Sequence, residues 1–136
     1  MSPAPYTLTE PSTQTTPVVF SSPHSGRHYP DAFLNASLLD ARAIRSSEDA
    51  FVEELWSCAP LHGAPLIAAT MPRAFIDLNR NCDELDPAVI EGVRHVAHNP
   101  RISSGLGVIP RVVAGGRAIV SGKMPRSAAE ERIELW

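Results

Sequence analysis

A chain of 136 residues, 43% of them hydrophobic and 20% charged, carries enough apolar material for one core and fits one globular domain. Its formal net charge of -3 excludes the strongly basic field that accompanies binding to nucleic acid or anionic membranes. Cys58 and Cys82 form no CxxC pair, the start of the chain lacks a signal-like apolar region, and no run of about 18 apolar residues occurs, so a soluble cytoplasmic protein is expected.

Residues 1–17 are rich in Ser, Thr and Pro and are expected to stay loose or to lie over a domain edge, which leaves 18–136 as the domain. Pro17-Val-Val-Phe20 predicts a buried strand that delivers the turn Ser21-Ser-Pro-His-Ser-Gly26 at its carboxyl end. Phe33, Leu34, Leu38 and Leu39 fit a short helix between Asp31 and Leu39. A second helix is expected after Ser46 or Ser47 as N-cap, with Glu48 and Asp49 in its first turn and Val52, Leu55, Trp56 and Ala59 as a core-facing stripe.

Pro65–Ala69 and Ala74–Asp77 read as two strands joined at Met71-Pro-Arg. Asp86 as N-cap and Pro87 at the first helical position predict a helix running to His98 and ending near Asn99-Pro100. Val108–Val113 and Ala118–Val120 flank Gly115-Gly116 as an antiparallel ribbon, because glycines accept the positive φ of tight hairpins. Ser127-Ala-Ala-Glu130 has the form of a capping box; only six residues follow Glu130, so that helix is expected to pack tightly or to continue. The fold class expected from this order is α/β, a mixed sheet flanked by helices.

Several of these elements end in residues with chemistry to offer. His24 follows a predicted strand, where open α/β sheets gather their ligands, and is the leading candidate for a metal ligand, although one histidine makes no metal site. Glu48 and Asp49 can complete a zinc set with it or simply favour a helix dipole; the two readings are compatible. In Asp77-Leu-Asn79-Arg80 a strand leads into a guanidinium suited to a bidentate grip on a carboxylate, with Arg73 at the other end of the same strand; a structural ion pair of Arg80 with Asp77 or Asp83 is the alternative. Arg111 and Arg117 on the ribbon carry the same two readings. His95 and His98, three apart on a predicted helix, read as polar surface, and Ser25 lies in no G-x-S-x-G elbow.

Taken in order, Val18-Val-Phe-Ser-Ser-Pro-His24-Ser-Gly, Ile44-Arg-Ser-Ser-Glu-Asp49, Pro72-Arg73-Ala-Phe-Ile-Asp-Leu-Asn-Arg80 and Gly107-Val-Ile-Pro-Arg111 resemble the N-formylglutamate amidohydrolase family from residue 18 to about 133. That resemblance implies a fold like the zinc carboxypeptidases and hydrolysis of the formamide bond of N-formyl-L-glutamate, a step of histidine degradation. It implies one zinc ion held by His24 and Asp49, with Glu48 as the alternative to Asp49. Asn79 and Arg80 match the family's carboxylate-binding pair, Arg73 is expected to hold substrate or polarise its carbonyl, and Arg111 to read a second carboxylate. The H-x-x-E of the carboxypeptidases is absent, since Arg27 stands where its Glu would be.

Family members run to about twice this length, so the resemblance places the third zinc ligand and the general base in a C-terminal half outside residues 1–136. From this follows one other reading, a fragment that binds metal or ligand without turnover; among enzymes the alternative is a metallo-peptidase or cell-wall amidase, because a carboxylate-binding Arg beside zinc also suits a peptide C-terminus. The expected partner is a small N-acyl amino acid, with no nucleic acid or membrane; an uncovered sheet edge would favour self-association.

Overall fold

The structure is a computed structural model and describes residues 4–94 and 98–136. Its centre is a three-stranded mixed sheet in the order β1 (Tyr6–Thr9), β3 (Leu66–Ala69), β2 (Phe20–Ser22). β1 runs antiparallel to β3, with Tyr6 opposite Ala69, and β2 runs parallel to it, with Phe20 opposite Leu66. The segment expected to be loose thus supplies an edge strand, although its four residues are all exposed. Because β2 and β3 are parallel, the turns that follow both of them, at Pro23 and Thr70, open on the same edge of the sheet.

The crossover between them carries helix α1 (Asp31–Ala36), a 3₁₀ turn at Ile44–Ser47, helix α2 (Val52–Leu55) and a second 3₁₀ turn at Ala59–His62. The helix expected after Ser46 or Ser47 therefore begins later: its N-cap position is Phe51, and Glu48 and Asp49 lie in the link before it rather than in its first turn. Its stripe does not face the core either. Leu55 is 75% and Trp56 44% exposed, and of the four stripe positions Ala59 alone is buried.

After β3 the expected second strand over Ala74–Asp77 is replaced by turns. Its apolar residues are buried for another reason: Ala74 joins a cluster with Phe33, Ile44, Val113 and Ile119, while Ile76 joins one with Met71, Val89, Ile90, Val108 and Ile109. The segment is the seam between two halves of the core. Asp86 does cap a turn, its carboxylate accepting from Ala88 N–H, but over residues 87–94 turns and an isolated bridge of Ile90 to Met124 replace the expected helix, whose residues 95–97 lie outside the described residues. Asn99-Pro100, read as a helix end, is a start: the Asn99 side chain accepts from the Arg101 and Ile102 N–H groups and caps α3 (Pro100–Ser103).

The ribbon forms as expected but shorter, with β4 (Val112–Val113) antiparallel to β5 (Arg117–Ala118). Helix α4 (Arg126–Ile133) starts at Pro125 with no side-chain cap, so Ser127 is inside the helix and the capping-box reading fails. Helix α4 packs Ala129 and Ile133 into the core, and its Arg132 guanidinium lies 4.2 Å from the Phe75 ring centre and 5.3 Å from that of Phe33, where burial brings its pKa down to about 10. Among the described residues no helix is long and apolar enough to cross a membrane.

Candidate active site

The turn after β2 is built by small residues. Gly26 sits where a Cβ would stand 1.9 Å from the Met71 carbonyl oxygen, so only glycine lets this loop lie against the chain leaving β3. His28 N–H donates to Thr70 O at 2.9 Å across the same contact. Ser22 and Ser25, both 1% exposed, close the turn, the Ser22 hydroxyl donating to Ser25 Oγ at 2.7 Å. These constraints fix His24, which is buried with only 8% of its surface exposed.

Both ring nitrogens of His24 meet carboxylates. Nε2 lies 2.8 Å from Asp77 Oδ1, and Nδ1 lies 3.3 Å from Asp49 Oδ2. Asp77 is fully buried and ionised: burial pushes its carboxyl pKa up, but the His24 hydrogen bond and charge, the Asn79 N–H and the Arg73 guanidinium outweigh that and leave it lowered. Asn79 N–H reaches Oδ1 at 2.9 Å, and Arg73 Nε reaches Oδ2 at 3.1 Å. A carboxylate in this state only accepts, so His24 Nε2 carries a hydrogen toward Asp77, and Nδ1 is the nitrogen turned to Asp49. Asp77 was read from sequence as the end of a strand and as one alternative ion-pair partner of Arg80; its partner His24 is 53 residues away, and no local pattern announces that pairing.

Asp49 is exposed, and its backbone N–H donates to His24 O at 2.9 Å, which ties the two residues together. Glu48 is turned elsewhere: its carboxylate accepts from the Tyr29 hydroxyl at 2.6 Å and from Arg45 at 3.1 Å. Burial, then the Glu48 hydrogen bond and charge, push the Tyr29 pKa well above its ordinary value. Past Asp49 the backbone reverses at Phe51, whose φ of 64° is left-handed, a conformation costing about 1–2 kcal/mol for a non-glycine residue. Arg27 covers that ring at 4.7 Å and pairs with Glu53 at 2.6 Å and Glu54 at 3.2 Å. It braces this reversal.

Beside the histidine opens a cavity of about 450 Å³ lined by Ser47, Asp49, Arg73, Leu106, Val112 and Gly116 among others. Arg73 is thus at once the partner of Asp77 and a cavity wall. Arg80 stands behind it, its Nε donating to Leu106 O at 3.1 Å and its Nη1 to Asn79 O at 2.9 Å, with Asp77 and Glu84 each 4.0 Å from Nε. Asn79 is exposed next to it. Arg111 is not brought to this cavity: it lies 3.1 Å from the buried Asp86 carboxylate, a close charge contact without hydrogen-bond alignment, and its Nη2 donates to the Ser103 carbonyl. His98 is exposed beside that pair, and His95 lies outside the described residues. Among the described residues no three His, Cys, Asp or Glu side chains cluster as a complete metal site.

The mixed α/β domain thus gathers a buried carboxylate–histidine pair, the acidic Asp49 and the arginine Arg73 at the carboxyl edge of its sheet. The chain belongs to the N-formylglutamate amidohydrolase family, whose model matches residues 16–136. Among solved structures it is similar to N-formylglutamate amidohydrolase from Ralstonia eutropha JMP134, at 36% identity and a TM-score of 0.86, over 98% of this chain and 48% of that one. The chain therefore spans about half the length of that relative. Comparison with curated proteins gives no match.

Proposed function

We propose that this chain contributes the zinc- and carboxylate-binding half of an enzyme that hydrolyses the formamide C–N bond of N-formyl-L-glutamate to formate and glutamate. The observation that carries the proposal is the approach of His24 Nδ1 to Asp49 Oδ2. Two lone pairs facing each other at 3.3 Å repel unless a proton or a cation lies between them. Two ligands each about 2.0–2.1 Å from one zinc ion at a tetrahedral angle stand about 3.3 Å apart, so the pair fits that ion.

Zinc, when bound, would supply Lewis-acid polarisation of the formyl oxygen and lower the pKa of water toward about 7. The chain's own residues do the rest of what is proposed here. Asp77 holds the His24 ring in the tautomer that leaves Nδ1 bare, a carboxylate–histidine arrangement in which the outer carboxylate orients the ligand and raises its basicity. Arg73 presents its guanidinium to the cavity, where it binds a substrate carboxylate or the carbonyl being attacked. Asn79 and Arg80, adjoining Asp77, form the expected carboxylate pair, with Arg80 held in place by the Leu106 carbonyl. Arg111, engaged with Asp86, is left out of the proposed substrate contacts.

The third ligand and the base that takes the proton from water are assigned to residues outside 1–136, in keeping with coverage of 48% of the solved relative. A zinc-carboxypeptidase-like fold belongs to the same proposal. The test is formate release from N-formylglutamate with added zinc by this chain joined to the remaining half of the solved relative, beside the chain alone, which should not turn over, and with a panel of other formylated amino acids and dipeptides. Preference for N-formylglutamate supports the proposal. Cleavage of the peptides with formylated acids untouched would favour a metallo-peptidase or amidase.

A further inference from the structure

His24 and Asp49, which face each other at 3.3 Å, sit on separate stretches of chain, so their spacing depends on what ties those stretches together. One stretch is residues 24–29, clamped to the chain leaving β3 by the close approach of Gly26 to the Met71 carbonyl and by the His28 N–H bond to Thr70 O. The other is the 3₁₀ turn Ile44–Ser47 with the two acids that follow it. The ligand candidates are not held equally. His24 is oriented by Asp77, whereas among the described residues the Asp49 carboxylate, 55% exposed, meets only His24.

Two rungs join the stretches. In the first, the Asp49 N–H donates to His24 O at 2.9 Å; in the second, the Tyr29 hydroxyl donates to Glu48 Oε1 at 2.6 Å. One hydrogen bond alone would let the 44–49 link pivot about it, and a second, five residues along the facing stretch, stops that rotation. Both partners of the second rung are anchored in the same core. The Tyr29 ring stacks on Phe33 with centroids 6.4 Å apart and packs against the cluster that also contains Ile44, the first residue of the 3₁₀ turn. The Glu48 side chain is 3% exposed and is held from its other oxygen by Arg45 Nη2 at 3.1 Å. A carboxylate so buried is costly to keep unless it is paired and hydrogen-bonded, and here one phenol and one guanidinium do both.

We propose that Tyr29, acting through Glu48, is a positioning residue for the metal pair: its hydrogen bond locks the 44–49 link against the 24–29 stretch and so holds Asp49 at ligand distance from His24. The inference rests on the reading of His24 and Asp49 as zinc ligands, and it gives Glu48 a part that is neither ligand nor base. What the lock needs at position 48 is an acceptor for the phenol. Glutamine supplies one and alanine does not.

The test compares the 136-residue chain with Tyr29→Phe, Glu48→Ala and Glu48→Gln, each well below its melting temperature, by two measurements. The first needs no metal: hydrogen exchange of the Asp49 amide, with the His28 amide as the control on the opposite clamp. Tyr29→Phe and Glu48→Ala should speed exchange at Asp49 about tenfold, the worth of one hydrogen bond to a charged group, and leave His28 unchanged. The second is zinc calorimetry, in which the same two variants should bind about tenfold more weakly, as loss of an outer partner of a metal ligand does. Glu48→Gln should match wild type in both. Unchanged exchange at Asp49 in Tyr29→Phe overturns the proposal, and so does faster exchange with zinc affinity kept. Equal speeding at Asp49 and His28 also overturns it, because Tyr29 then only stabilises the fold, as does a loss in Glu48→Gln equal to that in Glu48→Ala. Wild type that binds no zinc overturns the metal reading instead, while the Asp49 amide still decides whether Tyr29 locks the link.

Discussion

Asp77 Oδ1 stands 2.8 Å from His24 Nε2, and neither group has appreciable contact with solvent. A histidine held in this way has one nitrogen spent inside the protein and one offered outside. The same carboxylate also receives Arg73 and the Asn79 N–H, so one buried acid orients the histidine and an arginine of the cavity wall.

Replacing Asp77 by Asn should therefore disturb stability and ligand geometry together. Removing one member of a buried charged pair costs about 3 kcal/mol, measurable by urea denaturation. The folded-state pKa of Asp77 lies below its ordinary 3.8, so its stabilisation is present above about pH 4 and is lost as pH falls through the lowered value. Wild type should lose stability over that acid range more steeply than Asp77→Asn. Parallel curves for the two proteins would show that Asp77 is not the ionised partner described here.

Glu48 and Asp49 are adjacent but do different things, and Tyr29 reports which is which. The Tyr29 phenol is kept protonated beyond its ordinary pKa of 10.0 by burial first and by the Glu48 carboxylate second. In Glu48→Gln the ultraviolet titration of Tyr29 should move back toward 10.0, because the negative charge is gone while burial remains. Asp49→Asn should leave that titration in place.

Gly26→Ala tests the loop that carries His24. The added Cβ meets the Met71 carbonyl at 1.9 Å, and that atom is backbone, so the loop or the chain after β3 must shift. Overpacking of this kind costs about 1–3 kcal/mol, and thermal melting should register it. A melting temperature equal to that of wild type would mean that the close approach does not exist.

Short local signals made the turn at His24 and the ribbon around Gly115-Gly116 legible in the sequence, although the strand before His24 is Phe20–Ser22 rather than residues 17–20, and Val18 and Val19, read as buried, are exposed. Which of the adjacent acids Glu48 and Asp49 meets His24 was not legible, because Glu48 is turned away only through Tyr29 and Arg45. What was not legible rested on distant contacts. Ala74 and Ile76 read as strand because both are apolar, whereas each is buried in a different cluster around a turn. Leu55 and Trp56 have helical spacing, yet periodicity cannot say that a four-residue helix leaves both exposed. In the stretch expected to be helical from Pro87, Gly92, which adopts φ 70°, was the available sign against a helix over residues 87–94. Arg111 could not be separated from the substrate by sequence, because Asp86 meets it only through the fold.

The most direct test of the central claim is zinc titration calorimetry on the 136-residue chain beside His24→Ala, Asp49→Asn and Glu48→Gln. The account predicts weak binding of one zinc ion by wild type, its loss in the His24 and Asp49 variants, and its retention in Glu48→Gln. Unchanged zinc affinity in His24→Ala would contradict it.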